Sequence, residues 1–461
     1  MSDIIIFLAY VGLLLGGFVS PFVTSMGYLW VDSFYPQYLG SAILGSVPVA
    51  AVMGASAVLA YVLMDRKAPP RIGLFLILTG AMLVWMTATL LWSVRPESAF
   101  LKWDFAVKTV VFSAFLPFIF RSRIQIEAML LAHMLGSAMH LIGVGIKGAV
   151  TGGGYQWRLT QLPGDTGLAE TSAMATVAIM FIPLLFYMRT HSQLVPFPLI
   201  RKTFFTCYAL LMIPCMIATG ARTGIVCLVV LGGLYWVQSK RKVVSGIAIV
   251  MLAVLVVIFA PDRWKNRMET IGEYKADTSA LTRILVWQWA IGFTKDNPLG
   301  GGFRAYEVNV LQMPPDGWNP EGWIQRGRAP HSTWFELLTE LGWPGTALFL
   351  ALIVVTLWSL YRVWKRTRGV DELLWCHDLA RAMAMALVVL MAGSTFIGIG
   401  FKSWYWFMFA AAFTLSEYLR RVTSPVKPQP GLAVQASMAP PRPGRPEGGG
   451  QVGGLAVRRR A

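Results

Sequence analysis

Lys240-Arg241-Lys242-Val243-Val244-Ser245-Gly246-Ile247-Ala248-Ile249-Val250-Met251-Leu252-Ala253-Val254-Leu255-Val256-Val257-Ile258-Phe259-Ala260 is the stretch that decides the class of fold. Three cations are followed by eighteen residues without a single charge. As a helix the apolar part covers about 27 Å, close to the roughly 30 Å hydrocarbon core of a bilayer. The rest of the chain repeats the pattern. Of 461 residues 56% are hydrophobic and 14% charged, with a mean hydropathy of +0.57. Soluble domains carry about 25% charged residues, so this balance excludes an ordinary soluble enzyme.

Apolar runs fall near 4–22, 41–64, 72–92, 105–120, 125–146, 169–188, 203–219, 223–238, 243–260, 333–361, 381–397 and 403–419. The expected fold is therefore an all-α polytopic membrane protein of about twelve transmembrane helices. The first run, Ile4 to Phe22, lacks a basic flank and reads as a retained first helix. The net charge of +17 would suggest nucleic acid in a soluble protein, but here the cations sit in short connections between the runs. Arg66/Lys67/Arg71, Arg121/Arg123, Arg189/Arg201/Lys202, Lys240/Arg241/Lys242 and Arg362/Lys365/Arg366/Arg368 occupy alternate connections. With twelve helices and both termini cytoplasmic they all land on the cytoplasmic face, as the positive-inside rule requires.

Four regions follow. Residues 1–260 hold helices one to nine. Residues 261–332 form a large loop on the opposite face, with short amphipathic helices, nine Lys/Arg and eight Asp/Glu. Residues 333–421 hold helices ten to twelve. The tail 422–461 is rich in Pro and Gly, cannot bury enough apolar surface to fold, and is expected to be a disordered cytoplasmic extension. A second outer loop, 147–168, is Gly-rich. Cys207, Cys215 and Cys227 in apolar runs and Cys376 in a basic loop read as packing residues, not a disulfide framework.

Three outer-face stretches carry candidate chemistry. Arg222 lies in the hairpin Thr219-Gly220-Ala221-Arg222-Thr223-Gly224, before a short apolar run. An Arg beside a helix N-terminus in a low-dielectric setting suits a phosphate, while a snorkelling Arg is the plain alternative. Arg283 lies in an amphipathic pattern, with Leu281, Ile284, Leu285 and Ile291 as its apolar face and Arg283 and Gln288 off it. His331 falls where the loop re-enters the membrane, and the helix start that follows suits it to accept a proton. Glu336 and Glu340 share a face one turn apart inside an apolar segment, where carboxylates are costly unless paired or functional. His133 and His140 sit in an apolar helix, and His191 and His377 in connections on the basic side. No outer-face cluster has metal-ligand spacing and no phosphate-binding or dinucleotide fingerprint occurs, so neither metal nor cofactor is expected.

Trp264, Arg267-Met268-Glu269-Thr270-Ile271, Tyr274, Asp277, Ser279-Ala280, Arg283, Trp287, Pro298-Leu299-Gly300-Gly301-Gly302-Phe303, His331-Ser332, Glu336-Leu337, Glu340-Leu341-Gly342 and Gly345 form an ordered set. On it the chain resembles the O-antigen ligase superfamily of bacterial membrane glycosyltransferases, closest to the O-glycosylation ligases associated with exosortase systems. The resemblance implies an inner-membrane enzyme facing the periplasm, metal-independent, taking a glycan from an undecaprenyl-diphosphate-linked donor to an acceptor hydroxyl on lipid A core or protein. It implies His331 as the catalytic residue acting on that hydroxyl, with Arg222 and Arg283 on the pyrophosphate. Glu336, Glu340 and Arg158 are expected among the substrate-binding residues. One departure stands out: an Asp-Asn-Asn or Pro-Asn motif is expected where Gly164–Glu170 opens the next helix, and it is absent. The alternatives are a polysaccharide polymerase using the same donor and a lipid-linked glycan flippase or transporter. A transporter should line a path with charge, whereas these helices keep their ionisable residues at the ends.

Overall fold

The protein is described here from a computed structural model that covers residues 2–65, 67–151, 162, 166–259, 278–315 and 321–424. The tail beyond Ser424, Arg158 and the stretch 260–277 lie outside the described residues. Among the described residues, fourteen helices longer than two turns follow one another: α1 Ser2–Leu15, α2 Pro21–Phe34, α3 Val49–Met64, α4 Leu74–Ala88, α5 Pro96–Ile119, α6 Arg123–Thr151, α7 Thr171–His191, α8 Pro198–Thr219, α9 Arg222–Gln238, α10 Lys242–Phe259, α11 Thr278–Asp296, α12 Thr333–Arg366, α13 Leu374–Ser394 and α14 Ser403–Thr423. Between α11 and α12 a hairpin pairs β1 Val310–Met313 with β2 Trp323–Arg326. Among the described residues, six helices are long and apolar enough to cross a membrane, and four more are apolar but shorter. The chain is a multi-pass, all-α membrane protein.

The first apolar run departs from its reading as one helix. Gly16-Gly17 and Ser20-Pro21 break it: Pro21 cannot donate back into a continuing helix, and the Ser20 side chain caps α2 by accepting the Phe22 N–H. The chain doubles back so closely that a Cβ on Gly16 would stand 2.4 Å from Val23 Cγ1. The result is two helices of fourteen residues, each about 21 Å long and short of a full crossing. Pro48 likewise confines the second run to α3. In the other direction, α13 begins seven residues before its apolar run, because Trp375, Cys376 and Leu379 bury a face there.

The basic connections do gather at one end. Arg121 binds Asp65 at 2.7 Å, Arg123 donates to the His191 carbonyl, Arg421 to the Ala68 carbonyl, and Gln193 N–H to Glu127. His191 meets Asp378 at 2.7 Å, and Arg381 reaches Gln238 at the end of α9. These contacts tie the ends of α3, α6, α7, α9, α13 and α14 into one basic rim. At the opposite end α2 finishes beside the start of α14, and Val94 N–H meets the Gly301 carbonyl at 2.9 Å. α7 is central, with 89% of its apolar window inside the protein against 28% for the α4 segment, which faces outward. A topology reporter fused at Glu321 is expected in the opposite compartment from one fused at Arg366. The same compartment for both would contradict the two-ended arrangement.

Candidate functional site

The site is built on a broken helix. α12 is interrupted at Gly342 (φ 65°, ψ −166°), a conformation open essentially only to glycine, and Pro344 follows. The break frees carbonyls that a continuous helix would have used. Gly301 and Gly302 donate to the Thr339 and Glu340 carbonyls at 2.8 and 3.0 Å, and Trp343 N–H to Pro298. The Trp85 indole donates to the Leu341 carbonyl at 2.8 Å. The Pro298–Phe303 motif is thus a backbone clasp over the end of a half-helix, 333–341. A Cβ on Gly342 would lie 2.3 Å from Leu299 C and Pro298 O. Gly342→Ala is expected to lower the melting temperature in detergent, with about 1–3 kcal/mol lost to backbone strain alone. Gly292→Ala, with nothing within 4 Å of its Cβ, should leave it unchanged.

The other end of the half-helix presents His331. Thr333 donates to the Ile397 carbonyl at 2.8 Å and accepts the Ile399 N–H at 2.9 Å. Trp287 of α11 donates to the Pro330 carbonyl at 2.8 Å, and its ring stacks on Phe335. Pinned from both sides, His331 takes a left-handed φ of 44°, uncommon for a side chain of this size. Its ring is 46% exposed, with Nδ1 3.3 Å from Oε1 of Glu170, the residue before α7. A carboxylate on Nδ1 fixes the ring and leaves Nε2 as the free nitrogen. Glu170 occupies the helix opening where the expected motif is missing. The sequence signal was there, an acidic side chain at a helix start, but nothing local linked it to a residue 161 positions away.

Glu336 and Glu340 converge on a residue the sequence reading passed over. Lys102 of α5 donates to Glu336 Oε1 at 2.6 Å and to both oxygens of Glu340 at 2.7 and 2.8 Å. Arg304 N–H adds a bond to Glu340 at 2.9 Å. The Glu340 side chain is fully buried, and that of Glu336 is 11% exposed. Glu336 Oε2 and Ser332 Oγ are buried without a hydrogen-bond partner among the described residues. Nearby, Ser98 donates to Glu307 at 2.8 Å, and burial pushes the Tyr306 phenol up, keeping it neutral. A signal for Lys102 exists in hindsight: it interrupts the buried stripe Ala99, Ala106, Val110 of α5.

The two arginines come to the same end. Arg283 lies one turn before Trp287, so the two share the α11 face that meets the His331 segment. Arg222 opens α9, and Cys227 of α9 contacts Thr176 of α7, which puts Arg222 nearly level with Glu170. Both arginines are half-buried and each interacts with another group of the protein. The buried face of α11 is rotated from the expected one: Val286, Ala290 and Thr294 face inward while Ile291 is 47% exposed. Small Ala290 and Thr294 allow close packing there.

The features so far define a membrane enzyme candidate with an imidazole, a carboxylate and two guanidinium groups at one end of a helical bundle. Residues 207–350 match the O-antigen ligase family, and residues 1–193 match a family of unknown function (DUF5935). No curated protein matches the sequence. The match over 207–350 spans Arg222, Arg283, His331, Glu336 and Glu340, makes this part of the chain similar to the O-antigen ligase family, and supports an enzymatic ligase or transferase role.

Proposed function

We propose that the protein transfers a glycan from an undecaprenyl-diphosphate-linked donor to an acceptor hydroxyl at the periplasmic face of the bacterial inner membrane, without a metal. The observation that carries this reading is the exposed His331 ring with Glu170 on Nδ1. Nε2 takes the acceptor proton as its oxygen attacks the anomeric carbon. The bond from that carbon to the diphosphate breaks, and the lipid diphosphate leaves. Arg222 and Arg283 carry the charge that develops on the leaving group, a task suited to planar guanidinium forks. Glu340, with both oxygens bound, positions the half-helix. Glu336, held by Lys102 through Oε1, helps to position it.

The test is donor-binding affinity and transfer rate for purified protein in excess EDTA. Wild type should retain turnover. Arg222→Lys and Arg283→Lys should weaken both binding and turnover although charge is kept, because Lys does not bridge two phosphate oxygens in a plane. Wild-type affinity in both Lys variants, or activity that needs added Mg²⁺, would contradict the assignment. A polymerase would share every one of these roles and differ only in using a lipid-linked glycan as acceptor.

A further inference from the structure

We propose that a cleft at the basic end binds the headgroup of an amine-bearing phospholipid, of the phosphatidylethanolamine class. The cleft, about 230 Å³, lies between the last turns of α7, the end of α9 and the start of α13, at the end opposite His331. Its walls change character with depth. α7 runs toward the basic rim, from Pro183 and Phe186 to Thr190 and His191. α13 runs away from it, from Asp378 and Arg381 to Met385. Both helices therefore grade from charged at the rim to apolar inside, the gradient a lipid presents from headgroup to acyl chain. Phe186 is 39% exposed, so the apolar part is open sideways.

The charges select the headgroup. Asp378 and Arg381 are three residues apart on one helix face, with about 5–6 Å between their Cβ atoms. A carboxylate and a guanidinium one turn apart offer partners to the ammonium and the phosphate that ethanolamine phosphate carries two carbons apart. His191 occupies Asp378 Oδ2 at 2.7 Å, and Oδ1 has no hydrogen bond among the described residues. Arg381 uses Nε on Gln238, which leaves its terminal nitrogens for phosphate oxygens. A purely anionic headgroup would set its phosphate against Asp378, and a trimethylated amine has no N–H for Oδ1. Sites for drug-sized ligands run to roughly 300–1,000 Å³, so this cleft has room for a headgroup and a few methylenes only.

Competition between phosphatidylethanolamine, phosphatidylglycerol and phosphatidylcholine for the delipidated full chain, read by native mass spectrometry, tests the proposal. Wild type should prefer the ethanolamine lipid by up to about five-fold, the worth of one partly exposed ion pair. Asp378→Asn should erase that preference, and Arg381→Gln should lower retention of all three lipids. Thr190→Trp, which fills the cleft from an exposed wall and spares both charges, should lower ethanolamine-lipid retention even if Asp378→Asn proves unstable. Equal retention of the three lipids by wild type would overturn the proposal. So would a preference that survives all three variants, or soluble glycerophosphoethanolamine competing as well as the lipid.

Discussion

His331→Ala is expected to lower glycan transfer by about 10²–10⁴-fold, the usual worth of a general base, with donor binding near wild type. The expectation rests on an imidazole that touches little of the protein except one carboxylate, on a backbone held at φ 44° by anchors on either side. A histidine kept for packing would be buried, as His133 is at 1% exposure. Glu170→Ala should lower turnover by less, because it removes the group that orients the base and leaves the base itself. The pair acts as one unit, so the double variant should be no slower than His331→Ala alone. Multiplying effects, or near-normal turnover of His331→Ala at matched membrane levels, would dissolve the pair. Both variants should melt with wild type, since His331 and Glu170 are substantially exposed.

Lys102→Met should act on the fold. It leaves Glu336 and Glu340 facing each other in a buried site without their cation. Removing one partner of a buried ion cluster costs about 3–5 kcal/mol, a large share of the 5–15 kcal/mol that holds a typical domain together. The expected result is a steep fall in melting temperature and membrane level, with transfer lost as a consequence. Lys102→Met combined with Glu336→Gln and Glu340→Gln should recover much of the stability, because neutral groups of similar shape carry no such penalty. Failure of the triple variant to recover, or a Lys102→Met protein as stable as wild type, would contradict a cluster that holds α5 to the half-helix.

The sequence carries the membrane class, most helix positions and the segregation of the basic connections, because each follows from local composition. The break in the first run is legible too, in Gly16-Gly17 and Ser20-Pro21, although the hydropathy across it is continuous. What composition does not carry is which face of a helix meets protein. In water an apolar stripe marks the buried side, whereas lipid is as apolar as a core and the contrast vanishes. That is why α5, although Lys102 interrupts its buried stripe, does not show from its own sequence that Lys102 points at Glu336, 234 residues on. His331, Arg283, Glu336 and Glu340 were found because charge in or beside an apolar run is expensive and therefore conspicuous. Glu170 and Lys102 were missed because their meaning lies in partners distant along the chain. Gly342 was visible as part of a motif, yet only its φ and the clasp from Pro298–Gly302 show that it ends one helix and begins another.

If His331 is the base for glycan transfer, cleavage of the glycan–diphosphate bond depends on it. The most direct measurement supplies purified protein in vesicles with an undecaprenyl-diphosphate-linked glycan and a hydroxyl acceptor, and follows released lipid diphosphate and glycosylated acceptor together. Both products are expected to rise in equal amounts with wild type, and neither above background with His331→Ala. Intact lipid-linked glycan crossing the bilayer with no diphosphate released, or equal product from wild type and His331→Ala, would contradict it.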